Sequence, residues 1–275
     1  MRFSVSNIAW TAEERLPAYA VLADAGMDAL EIAPGLLFAS EPEPISPSDA
    51  AVKLALGEIA SAGLQLVSMQ ALLFGVQGAA LFGTTQERAC FDAAMLRAIQ
   101  LAGRLEIGNL VFGSPKQRIV PPEMPFAEAH KIAAETFARL GDAAKAAGTR
   151  IAIEPNPAEY GTNFLNTHAE ALAFVEAVDH QGISGIIDTG AMAMNGEGFD
   201  QMGPQGIGRV GHVHLSAPHL GVAPPTQDSA QMILQGLRGL GYAGTVSIEM
   251  KRGQDGMLDL ERCVARLMSA ARDHA

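Results

Sequence analysis

Short apolar runs recur along the chain, each preceded by small residues and a glycine: ADAGMDALEI, ASAGLQLVSM, LAGRLEIGNLVF, KAAGTRIAIE and LGYAGTVSIE. Each phrase has the form of a helix end, a glycine in a left-handed cap and a buried strand. Gly26, Gly63, Gly103 and Gly148 are the clearest caps of this kind. Helix starts are legible too. Thr11, Thr84 and Thr167 each precede a glutamate three residues on (Glu14, Glu87, Glu170), the spacing of a capping box. The apolar runs predict eight strands, near 2–6, 28–33, 65–70, 108–112, 150–155, 184–188, 209–215 and 245–250. Helical patterns fill the gaps near 12–25, 48–62, 85–102, 126–147, 167–178, 228–240 and 258–272. Residues 200–208 are too few and too glycine-rich for a long helix.

Strand–helix alternation over eight strands predicts a parallel sheet with helical crossovers, because parallel neighbours cannot be joined by a tight turn. Eight such units close into an α/β fold, the (β/α)8 TIM barrel. An open doubly wound sheet is the rival. The first strand–helix turn, SNIAWTAEE, lacks the glycine-rich phosphate loop such a sheet favours. No composition shift marks a linker, so residues 1–275 read as a single barrel domain.

Composition narrows the partners. The chain is 48% hydrophobic and 18% charged, enough apolar material for a large core. Its net charge of −11 disfavours nucleic acid and anionic membranes as partners. Cys90 and Cys263 form neither a disulfide framework nor a CxxC pair. The N-terminus shows no leader and no stretch approaches a membrane span, so the cytoplasm is expected.

Active sites of such barrels lie at the C-terminal ends of the strands. Strands five to eight end in Glu154 (IAIEPNP), Asp188 (GIIDTG), His214 (GHVHLS) and Glu249 (VSIEMK). One acid at a strand end is ordinarily a helix N-cap or a solvated charge. Four metal-capable side chains on consecutive strands point to convergence. Alternation turns Ala152, Ile186 and Ser247 to the same face as the acids, one layer lower. Three crowded buried carboxylates repel unless they are protonated or neutralised by a cation. An oxygen-rich set with one imidazole suits a single hard divalent ion, Mn²⁺ first, with Mg²⁺ or Co²⁺ as alternatives.

His212 shares the inward face one layer below His214 and is expected as a buried partner that orients a ligand carboxylate. The loop after strand four, FGSPKQR, offers Lys116 and Arg118 for hydroxyls, a carboxylate or a phosphate, or is a solvated basic turn. Lys251 and Arg252 carry the same ambiguity, and His219 lies in the loop after strand seven. Gln70 and Glu31 line the pocket or serve the fold. Trp10 is an aromatic wall for a sugar face or a packing residue. His130, His168, His180 and His274 read as surface residues.

The segments IEPN, IDTG, GHVHLS and SIEM resemble, in order and spacing, the four metal-ligand segments of the xylose-isomerase-like superfamily of sugar isomerases and epimerases. The resemblance spans nearly the whole chain. It implies one divalent ion held by Glu154, Asp188, His214 and Glu249. It also implies that the two glutamates face the substrate carbon from opposite sides. One takes a proton α to a carbonyl, the metal stabilises the enediolate, and the other acid returns a proton. The expected partner is a small carbohydrate-like molecule, and self-association into a homo-oligomer is open. The chain departs from the ketohexose 3-epimerases of that superfamily at two places. Ala191 stands where they carry a histidine, and SAPHL offers only His219 where they carry an arginine. Dehydratases of the superfamily share the metal site and the α-proton abstraction, so a lyase acting on a keto-sugar or keto-cyclitol is the alternative.

Overall fold

The structure is a computed structural model describing residues 1–202 and 204–272. Its strands are β1 (Arg2–Ser6), β2 (Ala29–Ile32), β3 (Gln65–Met69), β4 (Leu110–Phe112), β5 (Ile151–Ile153), β6 (Ile183–Asp188), β7 (Val210–Ser216) and β8 (Thr245–Glu249). They follow one another in chain order as a closed barrel. The long helices are α1 (Arg15–Asp24), α3 (Asp49–Ser61), α4 (Thr85–Arg104), α5 (Phe126–Ala146), α6 (His168–Val178), α9 (Gln227–Gly239) and α10 (Met257–Arg272). Three short helices, α2 (Pro34–Leu37), α7 (Thr189–Asn195) and α8 (Pro204–Ile207), add to the sequence expectation. Among the described residues no helix is long and apolar enough to cross a membrane.

Internal contacts group the chain into two compact units: Met1–Val67, Asp188–Gly208 and His212–Ala275 form one, Ser68–Ile187 and Arg209–Gly211 the other. In the first, β1 pairs with β8 (Arg2↔Thr245 to Val5↔Ile248) and with β2 (Ser4↔Ala29 to Ser6↔Glu31). β7 pairs with β8, setting His214 opposite Ser247 and Ser216 opposite Glu249. The apolar stripes of α9 and α10 pack together and bury Leu234, Leu237, Leu260, Val264 and Leu267. Beyond β1, Asn7 closes a ring with the backbone of Ala33. Its Oδ1 accepts from Ala33 N at 2.6 Å and its Nδ2 donates to Ala33 O at 3.3 Å. In the second unit, β4 pairs with β5 and β5 with β6. Val111, Ala152 and Ile186 form one buried cluster, as alternation along β5 and β6 requires. Phe91, Phe112, Phe137 and Phe174 pack edge to face with centroids 5.0–6.5 Å apart, the favoured geometry of ring quadrupoles.

Local signals explain the helix ends. The side chains of Thr84 and Thr167 accept from the backbone of Glu87 and Glu170, and the glutamates reach back to the threonine N–H. Glu14 likewise accepts from Thr11 N. Gly26, Gly63 and Gly148 take positive φ, as expected of caps. Gly103 does not. It lies inside α4, and the left-handed residue of that turn is Glu106. A Cβ at Gly103 would sit 3.3 Å from Ala147 O, so close helix approach accounts for this glycine. His168, expected at the surface, is buried at the start of α6 on the stripe shared with Ala171 and Val175. His130 is exposed and His180 is half-buried. His274 lies outside the described residues. Both cysteines are free.

Candidate metal centre

In the first unit three of the strand-end side chains converge. Asp188, His214 and Glu249 are all buried, and each offers a ligand atom within 4.8 Å of the others. Asp188 caps α7: its Oδ1 accepts from Ala191 N at 2.8 Å and from Ser216 Oγ at 2.6 Å. Ser216 Oγ in turn accepts from Gly190 N at 2.8 Å. Thr189 Oγ1 donates to Ser216 O and accepts from Ser216 N, a reciprocal clip. These bonds hold the carboxylate of Asp188 in one orientation. Capping and ligation are compatible here, so the ordinary explanation of a strand-end acid holds without displacing the other. Ala191, the position of the missing histidine, is buried within α7.

The imidazole of His214 is gripped at both edges. Nδ1 lies 3.2 Å from Glu249 Oε2 and Nε2 lies 3.1 Å from Glu31 Oε1. His212 Nε2 lies 3.3 Å from the same Glu31 oxygen, and the two rings stand nearly perpendicular, 5.2 Å apart. Glu31, His212 and His214 are a second group able to hold a cation. Burial works to raise the Glu31 pKa, but the fields and hydrogen bonds of His214 and His212 outweigh it and hold the carboxyl well below its ordinary range. The acid that His212 meets is thus Glu31, a residue the sequence left between pocket and scaffold. A glutamate inside the fully buried run ALEI was the available signal, since unpaired glutamate is almost never buried.

In the second unit Glu154 follows β5 and is buried. Asn156 Nδ2 donates to its Oε2 at 3.2 Å. Gly113, just past β4, leaves room for the carboxylate; a Cβ there would collide with Glu154 Oε2. Neither Asn156 nor Gly113 had been singled out from sequence. After Ser114, in the left-handed region, a 3-10 turn (Pro115–Arg118) carries the two basic residues apart. Lys116 is exposed. Arg118 is fully buried, its guanidinium 5.8 Å from the centre of the Phe112 ring. None of its three nitrogens has an acceptor among the described residues. Burial pushes its pKa down to about 10, opposed by the charge of Glu154. The turn is pinned at its far end, where Asn163 accepts from Val120 N and donates to Val120 O.

The remaining candidates separate by burial. Gln70 is 7% exposed and Trp10 is 3% exposed. Trp10 packs edge-on against Tyr19 at 6.3 Å. His219 is exposed, with φ of 60°, in the turn after β7. Lys251 is exposed. Arg252 is committed to the fold: Nε and Nη2 make a bidentate pair with Glu14 at 2.8 and 2.7 Å.

The family described as xylose isomerase-like TIM barrel matches residues 19–270. The chain belongs to this family. A curated relative is the L-ribulose 3-epimerase of Mesorhizobium japonicum, 28% identical over 149 residues, 54% of this chain. The match spans about half, 48%, of that relative's length. Among solved structures, the D-psicose 3-epimerase of Clostridium cellulolyticum H10 superposes with a TM-score of 0.76 over 99% of this chain and 98% of its own, at 16% identity. The 3-keto-D-glucoside 4-epimerase of E. coli does so with a TM-score of 0.76 over 98% and 99%, at 18% identity. At these identities the likeness shows the barrel fold alone.

Proposed function

We propose that the protein is a divalent-metal-dependent epimerase or isomerase of a sugar or sugar-like keto compound. The observation that carries the proposal is the buried convergence of Asp188, His214 and Glu249. Two acids and an imidazole, shielded from water, are a costly arrangement that a cation would neutralise. Glu154 is proposed as the fourth ligand. β5 and β6 are in register up to Ile153↔Gly185, which sets Glu154 level with Ile186, two residues before Asp188 on the next strand. The donor set is three carboxylates and one imidazole, suited to Mn²⁺, with Mg²⁺ or Co²⁺ as alternatives. A divalent cation there would stabilise negative charge on a carbonyl oxygen as the adjacent C–H is deprotonated.

The chain's own residues do the rest in this reading. Glu154 and Glu249 are the acid–base pair: one accepts the α-proton and the other returns a proton, to the opposite face of the same carbon in an epimerisation or to the neighbouring enediolate carbon in an isomerisation. Asn156 and Gly113 fix Glu154. Glu249 Oε2 lies 3.2 Å from His214 Nδ1, close enough for the two to share one cation. Lys116 and His219, both exposed on loops that follow strands, are proposed to meet the substrate's hydroxyls. Arg118, Gln70 and Trp10 are proposed as enclosed parts of the substrate wall, with Trp10 acting through its packing on Tyr19.

The test is solvent exchange at known metal occupancy. With candidate ketoses in D2O, chelated enzyme should be inactive, Mn²⁺ should restore it, and deuterium should enter the carbon next to the carbonyl. Turnover that leaves that carbon unlabelled would overturn proton abstraction by the glutamates. A product lighter by one water would move the assignment to the lyase reading.

A further inference from the structure

Glu31 is not among the four strand-end side chains and would not be counted as a ligand of the same ion. It nevertheless sits fully buried, with 0% exposure, between two histidines that are 1% and 0% exposed. Its Oε1 meets Nε2 of both rings, at 3.1 Å for His214 and 3.3 Å for His212. The remaining nitrogen of His214, Nδ1, faces Glu249 Oε2 at 3.2 Å. An imidazole has two nitrogens, and a cation takes whichever one is not held by a partner's carboxylate as a hydrogen-bond donor.

We infer that Glu31 is the positioning residue of the metal centre: flanked by His212, it engages Nε2 of His214, so that Nδ1 is the nitrogen presented to a cation shared with Glu249. The inference rests on the metal-centre reading above and adds to it the choice of nitrogen and the residue that makes the choice. A side chain that rotates freely about χ2 would present either nitrogen. Here both edges of the ring have acidic neighbours in a closed interior, and only the Glu249 edge belongs to the strand-end set. His212 Nε2 closes on the same oxygen at 3.3 Å, so a second ring crowds the Glu31 carboxylate and limits its rotation.

The experiment compares wild type, Glu31→Gln and Glu31→Leu, each stripped with chelator and titrated with Mn²⁺. Free ion is read by electron paramagnetic resonance and heat by calorimetry. Circular dichroism and metal-free melting of each variant are recorded alongside. The expected result is one ion per wild-type chain. Leucine should weaken the Mn²⁺ Kd by about 10–100-fold, the usual consequence of removing a partner that orients a metal ligand, with glutamine between the two. A merely structural Glu31 would lower the melting temperature and leave the Kd of the folded variants unchanged, which would overturn the inference. Should the leucine variant not fold, a glutamine variant with wild-type Kd does the same. Two ions per wild-type chain, one of them lost on Glu31→Gln, would overturn it differently, by making Glu31, His212 and His214 a second metal site. A wild type that binds no ion at all refutes the metal-centre reading itself, an outcome distinct from equal binding by wild type and variant.

Discussion

Arg118 is the side chain that elementary energetics explains least well as scaffold. A guanidinium carries five donors and stays charged, and leaving such a group buried without acceptors costs several kcal/mol. The ring of Phe112 and the field of Glu154 offset part of this. Replacing the charge by an apolar side chain of similar length removes the desolvation cost. Arg118→Met is therefore expected to be neutral or to stabilise the protein by about 1–4 kcal/mol in denaturant melts. If Arg118 also contributes to the substrate wall, the same variant should show a raised KM. A gain in stability coupled to a loss in function is the mark of a residue kept for its site. From the sequence, Lys116 and Arg118 looked alike, two cations in one loop. Only the turn that starts at left-handed Ser114 separates them, sending one to solvent and the other inward. No periodicity in FGSPKQR encodes that reversal, because it depends on backbone angles at a single non-glycine residue.

Strand ends and the turns beyond them position the candidate acids. Gly113 is the clearest case: its missing Cβ is the space that Glu154 occupies. Gly113→Ala should displace the Glu154 carboxylate. The expected outcome is a fall in kcat of about 10-fold or more, since small misplacements of reacting groups are expensive, with a melting temperature close to wild type. Unchanged kcat at full metal occupancy would remove Glu154 from the acid–base pair. The strands were legible because apolar runs are punctuated, several by a capping glycine on one side and a polar strand end on the other. The threonine–glutamate boxes marked the helix starts for a similar reason, being local and self-contained. What stayed hidden needs a third dimension. The Thr189–Ser216 clip joins positions 27 apart in sequence, and Glu31 meets His214 across 183 positions. Gly103 misled because a glycine needed for close approach and a glycine needed for positive φ are the same letter.

Across the chain, acid stability should carry the signature of the Arg252–Glu14 clamp that ties the loop after β8 to the start of α1. The hydrogen bond from Arg252, helped by Thr11 N–H, lowers the Glu14 pKa from 4.5 to about 2. A carboxyl depressed on folding stabilises the native state fully above its unfolded value. That contribution is lost as pH falls through the folded one. The melting temperature of Glu14→Gln should therefore lie below wild type at neutral pH. The gap should shrink as pH falls from about 4.5 towards 2 and close below that; a gap independent of pH would mean the clamp acts through shape alone.

The division of the chain into Ser68–Ile187 and the segments on either side has a consequence for the order of assembly. Residues 68–187 leave the ribosome as one continuous stretch, with β4, β5 and β6 already neighbours in sequence, so their pairing needs only short loop closures. The first 67 residues are made earlier, yet β1 takes its hydrogen bonds from β8, some 240 positions later. The N-terminal quarter must wait, with one edge of β1 unpaired, until the C-terminal quarter has been synthesised. An unpaired strand edge is a template on which another chain can pair. Birth order and folding order thus run in opposite directions at the N-terminus. During that interval the free edge of β1 is open to pairing with the wrong strand.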